Sequence, residues 1–463
     1  MNYQKGLVRT LGLGYVIVVV VGNIVGSGVF KKIAPMAGEL HSSGWIIAAW
    51  VAAGLITLMG ALSNAEVAGL LADTGGDFAY YKKIYNRFFA FIYGWSLFAV
   101  IQTAAIASLA YVFAQSLHSM VNLPEVFPSL STISIGGIFS PFAELNVKLV
   151  AIMLILALTF VNILGLKEGA GVSKAVLITV FAGIFVILVF GLKNSHATLP
   201  EIFSFKTVSG QAMTISSFFT AMLAAFWAYQ GWVTVGFIGG EVKEPNRNIP
   251  RGIILGVLMV IALYLLVNIT YLALLPVTTF EAIYQSGNQI AAVEAVRSFW
   301  GSNGVLFISL LILVSTLGCT NATILASSRT YFAMSRDSLF FRSAGHLNHA
   351  GVPSHSLVFQ GIWASVLVLS GTFDQLTDMV IFSVYIFYGA TALGVFILRR
   401  KMADAYRPYK AWGYPVVPAI FILFCIVLFF NTVITRPREA AIGLTLILAG
   451  IPVYFFLKRK RNS

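Results

Sequence analysis

The stretch GNIVGSGVF, residues 22–30, interrupts an uncharged apolar run that begins near residue 11. Gly22, Gly26, Gly28 and the polar Asn23 weaken a helix at the depth where a membrane span needs its peptide groups paired. Backbone left unpaired inside a bilayer is tolerated only where it is buried in protein or lines a cavity. The run therefore reads as a spanning helix broken near its middle. Gly22 and Gly26 also form a small-xxx-small pair, so a plain helix-packing reading stays open beside it.

The rest of the chain supports a membrane setting. Its 463 residues are 58% hydrophobic and 10% charged, with a mean hydropathy of +0.87, too apolar for a water-soluble protein of this length. Runs long enough to cross a bilayer as helices recur from end to end, near 11–36, 44–70, 88–117, 147–165, 171–192, 212–240, 250–275, 303–333, 354–372, 376–398, 412–434 and 439–457. The predicted fold class is an all-α integral membrane protein of about twelve transmembrane helices, with residues 1–463 forming one membrane domain. The first run is longer than a signal-peptide core and reads as a retained helix.

Threading these spans through a bilayer puts most of the 30 Lys and Arg residues on the side of the N-terminus. This positive-inside bias predicts a multi-pass cell (inner) membrane protein with both termini cytoplasmic. It also accounts for the net charge of +13 through placement against the lipid bilayer, so no nucleic-acid partner is inferred. Arg399, Arg400, Lys401 and the basic residues 458–461 read as helix-end anchors. Cys319 and Cys425 both fall inside apolar spans, which excludes a disulfide framework and a cysteine metal cluster.

Enzymatic classes find little support. The six histidines, 41, 118, 196, 346, 349 and 355, fall in loops or at helix ends, and no cluster of nucleophile, acid and metal ligands forms at one depth. No GxxxxGK[ST] motif is present for ATP-driven pumping, and no polar stripe repeats along the spans as a channel would need. No catalytic residue, metal or cofactor is inferred.

A second interruption completes the pattern. WAYQGW, residues 227–232, sits within the sixth run, 212–240. The first and sixth spans lie five helices apart and so cross in opposite directions. Broken helices at matching places in two inverted halves are the best sequence pointer to a transporter's central site. If the first helix stops near Ile24 and restarts after Gly28, the amides of Gly26, Ser27 and Gly28 are free donors at a helix N-terminus, which favours an anion. The carbonyls of Ile24 and of residues around Trp227 are free acceptors for a cation. An α-amino acid, with carboxylate and ammonium on one carbon, satisfies both. Neither span carries a charge at its middle, so side-chain selectivity falls to pocket shape and neutral groups such as Gln230.

At these residues the chain resembles the amino acid–polyamine–organocation (APC) superfamily, and within it bacterial relatives of the L-type amino acid transporters. The matching segments are IVGSGVF (24–30), AEVAGLLADTGGDFAYYKKIY (65–85), FWAYQGW (226–232), GGEVKEPNRNIPR (239–251), ASSRTYFAMSRD (326–337) and RPYKAWGYPVVP (407–418), in order across nearly the whole chain. The resemblance implies a LeuT-like five-plus-five inverted repeat (11–192 and 212–400) with two additional helices (411–458). It also implies alternating access by a secondary transporter of neutral L-amino acids. Another amino-acid-like or amine substrate, moved by an ion- or proton-coupled permease, is the alternative.

Carried over by position, Ser27 and Gly28 match carboxylate-binding amides, Ile24 an amine-binding carbonyl, Trp227 the gating aromatic, and Ala104 and Ala105 small pocket residues. Gln230 stands where relatives that accept cationic amino acids carry an acid; the alternative is an interhelical hydrogen bond that locks the sixth helix. Many relatives place a lysine in the middle of the fifth helix, where alignment puts Val180; Lys167 and Lys174 lie near the cytoplasmic end instead. A Na⁺ ion held by Ser315, Thr316 or Thr320 is a possible substitute, although Cys319 occupies one place where a hydroxyl would help. Exchange, Na⁺ coupling and H⁺ coupling all stay open. Relatives in animals join an accessory glycoprotein through an external cysteine after the third helix; residues 118–146 hold no cysteine, so no disulfide-linked accessory subunit is expected. Lys31 and Lys32 have two readings, an outer vestibule drawing in carboxylates and snorkelling to the interface. Glu66 is read as a helix-end carboxylate paired with a nearby arginine, with titration in a gate as the alternative.

Overall fold

The computed structural model describes residues 11–71, 76–136, 139–165, 170–194, 197–208, 210, 212–287 and 289–462. Lys167 and His196 lie outside the described residues, as do the side chain of Lys174 and residues 1–10 at the amino terminus.

The first apolar run is a helix in pieces. Helix α1 (Leu13–Ile24) stops, and α2 (Gly28–Lys31) and α3 (Ile33–Leu40) follow, joined through Lys32 in right-handed helical geometry. Then come α4 (Ser43–Leu70), α5 (Gly76–Ile84), α6 (Arg87–Ser96) and α7 (Gln102–Met120), the last two continuous through a π-helical turn at Leu97–Ile101. Helices α8 (Leu145–Ile163), α9 (Ala170–Lys193) and the short α10 (Leu199–Ile202) lead to α11 (Ile215–Tyr229). A 3₁₀ segment, Trp232–Glu241, continues the α11 run. The chain ends with α12 (Pro245–Leu274), α13 (Val277–Ser286), α14 (Ala291–Arg336), α15 (Ser354–Ser370), α16 (Phe373–Lys401), α17 (Val416–Thr435), α18 (Pro437–Leu448) and α19 (Gly450–Asn462).

Among the described residues, nine helical stretches are long and apolar enough to cross a membrane, and α1 and α15 are shorter apolar helices. The protein is a multi-pass membrane protein built almost entirely from helices. Starts are set locally: Thr214 and Thr372 form capping boxes with Ser217 and Gln375 at the heads of α11 and α16. Pro245 and Pro437 occupy the first turns of α12 and α18, where a missing N–H costs nothing.

Two features depart from the sequence reading. Residues 276–302, between the spans read at 250–275 and 303–333, are not a plain connection; α13 lies there and packs on α3. Helix α14 begins at Ala291 rather than near 303, with a break at Gly301, whose φ of 58° and ψ of −139° are non-helical. The core is built where α12 lies along α4 and α1, and where α14 lies along α7 and α9. This packing surrounds the breaks in α1 and α11.

Candidate functional site

Both interrupted spans are unwound where the sequence expects. After Ile24, Val25 is extended (φ −76°, ψ 90°), and helix resumes at Gly28 with Ser27 as its N-cap. After Tyr229, Gln230 is extended (φ −68°, ψ 143°), and Gly231 takes a φ of 125°, open to glycine and strained for other residues. The two breaks touch. A Cβ on Gly28 would stand 2.4 Å from Ala228 Cα, and one on Gly231 would stand 2.4 Å from the Asn23 carbonyl oxygen. Glycine is needed at both because backbone meets backbone. Gly22 and Gly26 instead face the side chains of Leu177 and Cys319, so they do not form a backbone-to-backbone helix seam.

The amides of Gly26, Ser27 and Gly28 have no backbone acceptor among the described residues. The Ile24 carbonyl is engaged: Tyr264 Oη, fully buried on α12, lies 2.9 Å from Ile24 O and 3.0 Å from Ala228 O. One hydroxyl proton serves one of these carbonyls at a time, and each carbonyl keeps a lone pair for a further donor. Sequence reasoning missed Tyr264. Its signal was a tyrosine in mid-span, away from the interfacial belts where membrane tyrosines concentrate. Trp227 Nε1 donates to Ser27 Oγ at 3.2 Å, and its ring meets Phe373 edge to face at 6.1 Å.

A cavity of about 880 Å³ opens from these breaks. Ile24, Gly26, Ser27, Gly28, Trp227, Gln230 and Ser315 line it, and the lining runs down α1 to the exposed Tyr15 and Gly14. Among the described residues that line it there is no Asp, Glu, Lys, Arg or His. Ala104 is fully buried and does not border the cavity; its neighbour Ala105 does. Val180 lines it from α9 with Val176 and Leu177, so that wall is aliphatic. Thr316 and Thr320 turn back on α14, donating to Ile312 O at 2.7 Å and to Thr316 O at 2.6 Å, and neither reaches the cavity. The arrangement offers free amides, part-free carbonyls and an uncharged wall to a small zwitterion.

The family profile described as "Amino acid permease" matches residues 11–457. The chain belongs to the amino acid permease family. It is 31% identical over 465 residues to the serine/threonine exchanger SteT of Bacillus subtilis (strain 168), covering 99% of each chain. It is 27% identical over 471 residues to the human large neutral amino acids transporter small subunit 2, covering 98% of this chain and 80% of that one. To the human b(0,+)-type amino acid transporter 1 it is 25% identical over 452 residues, covering 97% and 88%. These relatives are transporters, and the chain is a permease of the APC superfamily rather than an enzyme.

The permease is sealed beyond Trp227. Lys31 and Lys32 neither border a vestibule nor snorkel; both are buried. Lys31 Nζ donates to Gln115 Oε1, while Lys32 Nζ donates to Asp374 Oδ1 and Thr377 Oγ1, both at 2.6 Å. Both ammonium groups lie against the Phe373 ring, 4.7 and 4.6 Å from its centroid. Further out, Arg436 binds Glu39 at 2.6 Å, and His41 meets Glu281 of α13 at 2.9 Å. At the opposite end Glu66 accepts a bidentate pair from Arg399 and the Ala411 amide, with Arg407 at 3.4 Å. Arg399 is therefore an internal clamp, not a lipid anchor. On α5 the buried Asp77 carboxyl is pushed up to about 7 by burial, against the opposing hydrogen bond from Tyr93 at 3.3 Å.

Proposed function

We propose that this permease is a secondary transporter that exchanges neutral L-amino acids by alternating access, with the substrate zwitterion held by the unwound backbone of the first and sixth spans. One observation carries the reading: two touching breaks present the free Gly26, Ser27 and Gly28 amides beside the Ile24 carbonyl in a cavity without charged lining among the described residues. A carboxylate suits the amides, because helix N-termini favour anions and α2 continues through Lys32 into α3 as one helical arm. The ammonium suits the lone pair that Tyr264 leaves on Ile24 O. Trp227 is the gate over the substrate, held to Ser27. Gln230 faces its side chain.

The wider frame is twelve spans: the nine long apolar stretches, the interrupted first and sixth runs and α15. They form a LeuT-like arrangement of two inverted halves, 11–192 and 212–400, with two further helices in 411–458 and both termini cytoplasmic. Exchange fits better than ion coupling. The Val180 wall is apolar, and of Ser315, Thr316 and Thr320 only Ser315 reaches the cavity, which leaves a hard cation few oxygen ligands. The similarity to SteT, a serine/threonine exchanger, points to small polar substrates here.

The test is counterflow in liposomes holding the purified protein, loaded or not with unlabelled amino acid, at matched Na⁺ and pH. Exchange predicts uptake of labelled serine, threonine or alanine only into loaded vesicles, without dependence on a Na⁺ or pH gradient. Uptake that no neutral amino acid drives or inhibits would reject the reading.

A further inference from the structure

We propose that Tyr388 is a positioning residue that sets the polarity of the side-chain pocket. By holding the Gln230 oxygen it turns the Gln230 amide nitrogen toward the cavity, so that substrates whose side chain carries a hydrogen-bond acceptor are preferred. This rests on the neutral amino acid reading above and names what that site selects.

Tyr388 sits on α16, almost fully buried, and its hydroxyl donates to Gln230 Oε1 at 3.0 Å. The ring is fixed on two sides, by Trp232 with centroids 4.8 Å apart and by Tyr385 at 5.5 Å. Trp232 opens the segment after the break, so the Tyr388 ring packs on the chain just beyond the unwound residues. Among the described residues the hydroxyl proton has no acceptor other than Gln230 Oε1. Reversing the amide would make the phenolic oxygen the acceptor and leave the hydroxyl proton without an acceptor among the described residues, a less favourable pairing for a buried hydroxyl. One amide orientation is thus selected.

In that orientation the two N–H donors of Gln230 have no protein acceptor among the described residues, and Gln230 lines the cavity. Gln230 follows Trp227 by three residues, a rise of about 5 Å along a helix, and Trp227 is tied to Ser27 at the carboxylate end of the site. That separation matches a short side chain reaching from an anchored α-carbon. What it meets there is a pair of donors, which an ether, hydroxyl or carboxamide oxygen satisfies and a methylene leaves unpaired. Sites built to bond a substrate polar atom discriminate strongly against the analogue that lacks it.

The test compares O-methyl-L-serine with L-norvaline, which share a shape but differ by an acceptor-only oxygen in place of a methylene. In proteoliposomes the wild-type protein is expected to show roughly fivefold lower KM for O-methyl-L-serine, the worth of one neutral hydrogen bond. Tyr388→Phe frees the amide to present either atom and should bring the ratio close to one while norvaline transport persists. Gln230→Met, which removes the donors but keeps the length, should abolish the preference in the same way. A role limited to locking the sixth span would change both KM values together and keep their ratio. A wild-type ratio near one, or a ratio unchanged in Tyr388→Phe, overturns this inference while leaving the transport reading intact. Absence of uptake of every neutral amino acid overturns both.

Discussion

At the scale of single residues, the proposed site holds its substrate by backbone atoms that mutation of side chains leaves in place, which is why Ser27 is the informative position. Its φ of −64° already suits proline, whereas its amide is one of the three free donors. Ser27→Pro is therefore expected to abolish substrate binding in the purified protein while thermal unfolding in detergent stays near the wild-type temperature. Ser27→Ala keeps the amide and loses only the contact with Trp227 Nε1, so it should weaken binding by no more than about tenfold. Equal losses in both variants would show that the hydroxyl, not the backbone, carries the interaction. Ser27, Gly28, Trp227 and Gln230 are legible in the sequence because glycines and polar groups stand out against an apolar run. Tyr264 and Tyr388 are not, because their importance lies in acceptors on other helices: Tyr264 reaches Ile24 from 240 residues away, and Tyr388 reaches Gln230 from 158.

At the scale of elements, the same distinction separates what hydropathy reveals from what packing adds. The two breaks are visible as interruptions in periodic apolar runs, yet α13 is a short amphipathic helix in a polar stretch, and its place against α3 follows from tertiary contact. The break at Gly301 is preceded by an apolar stretch that Glu294 and Arg297 interrupt, so no uncharged run on its N-terminal side marks it. Lys31 and Lys32 read as interfacial because sequence shows their charge and hides their partners. In the fold Lys32 is fully enclosed, with Asp374 of α16 a quarter exposed, so the pair ties the arm beyond the first break to the head of another helix. Removing one partner of such a pair leaves a buried charge uncompensated, at a cost on the order of 3 kcal/mol, reduced here by the exposure of Asp374. Asp374→Asn is accordingly expected to lower the unfolding temperature and to loosen closure beyond Trp227. Replacing both partners, Lys32→Met with Asp374→Leu, should restore much of the stability. A single variant as stable as the wild type would mean that the Lys32 ammonium is satisfied by its other partners.

At the scale of the whole molecule, the cavity is open along α1 from Gly14 upward and closed above Trp227 by Phe373, the two lysines and the ion pairs outside them, which under the proposed alternating access is one state of the cycle. The chain of contacts is continuous. Ser27 holds Trp227, Trp227 packs on Phe373, and both ammonium groups of the arm lie against the Phe373 ring, so a ligand at Ser27 would act on the first member of the series that closes the far side. Cys319 offers a native reporter of this state. It lines the cavity from α14, and a Cβ placed on Gly26 would stand 3.6 Å from its sulfur, so substrate bound at the first break covers the thiol. Cys425 is buried on α17 away from the cavity, and Cys425→Ala leaves Cys319 as the single cysteine. In that background, alkylation of Cys319 by N-ethylmaleimide, followed by mass spectrometry, is expected to slow as a transported amino acid is raised through its KM. An amino acid that is not transported should leave the rate unchanged. Protection should also vanish in Ser27→Pro, because the occluding ligand no longer binds. Alkylation that proceeds at one rate whatever amino acid is present would separate the cavity from the transport path.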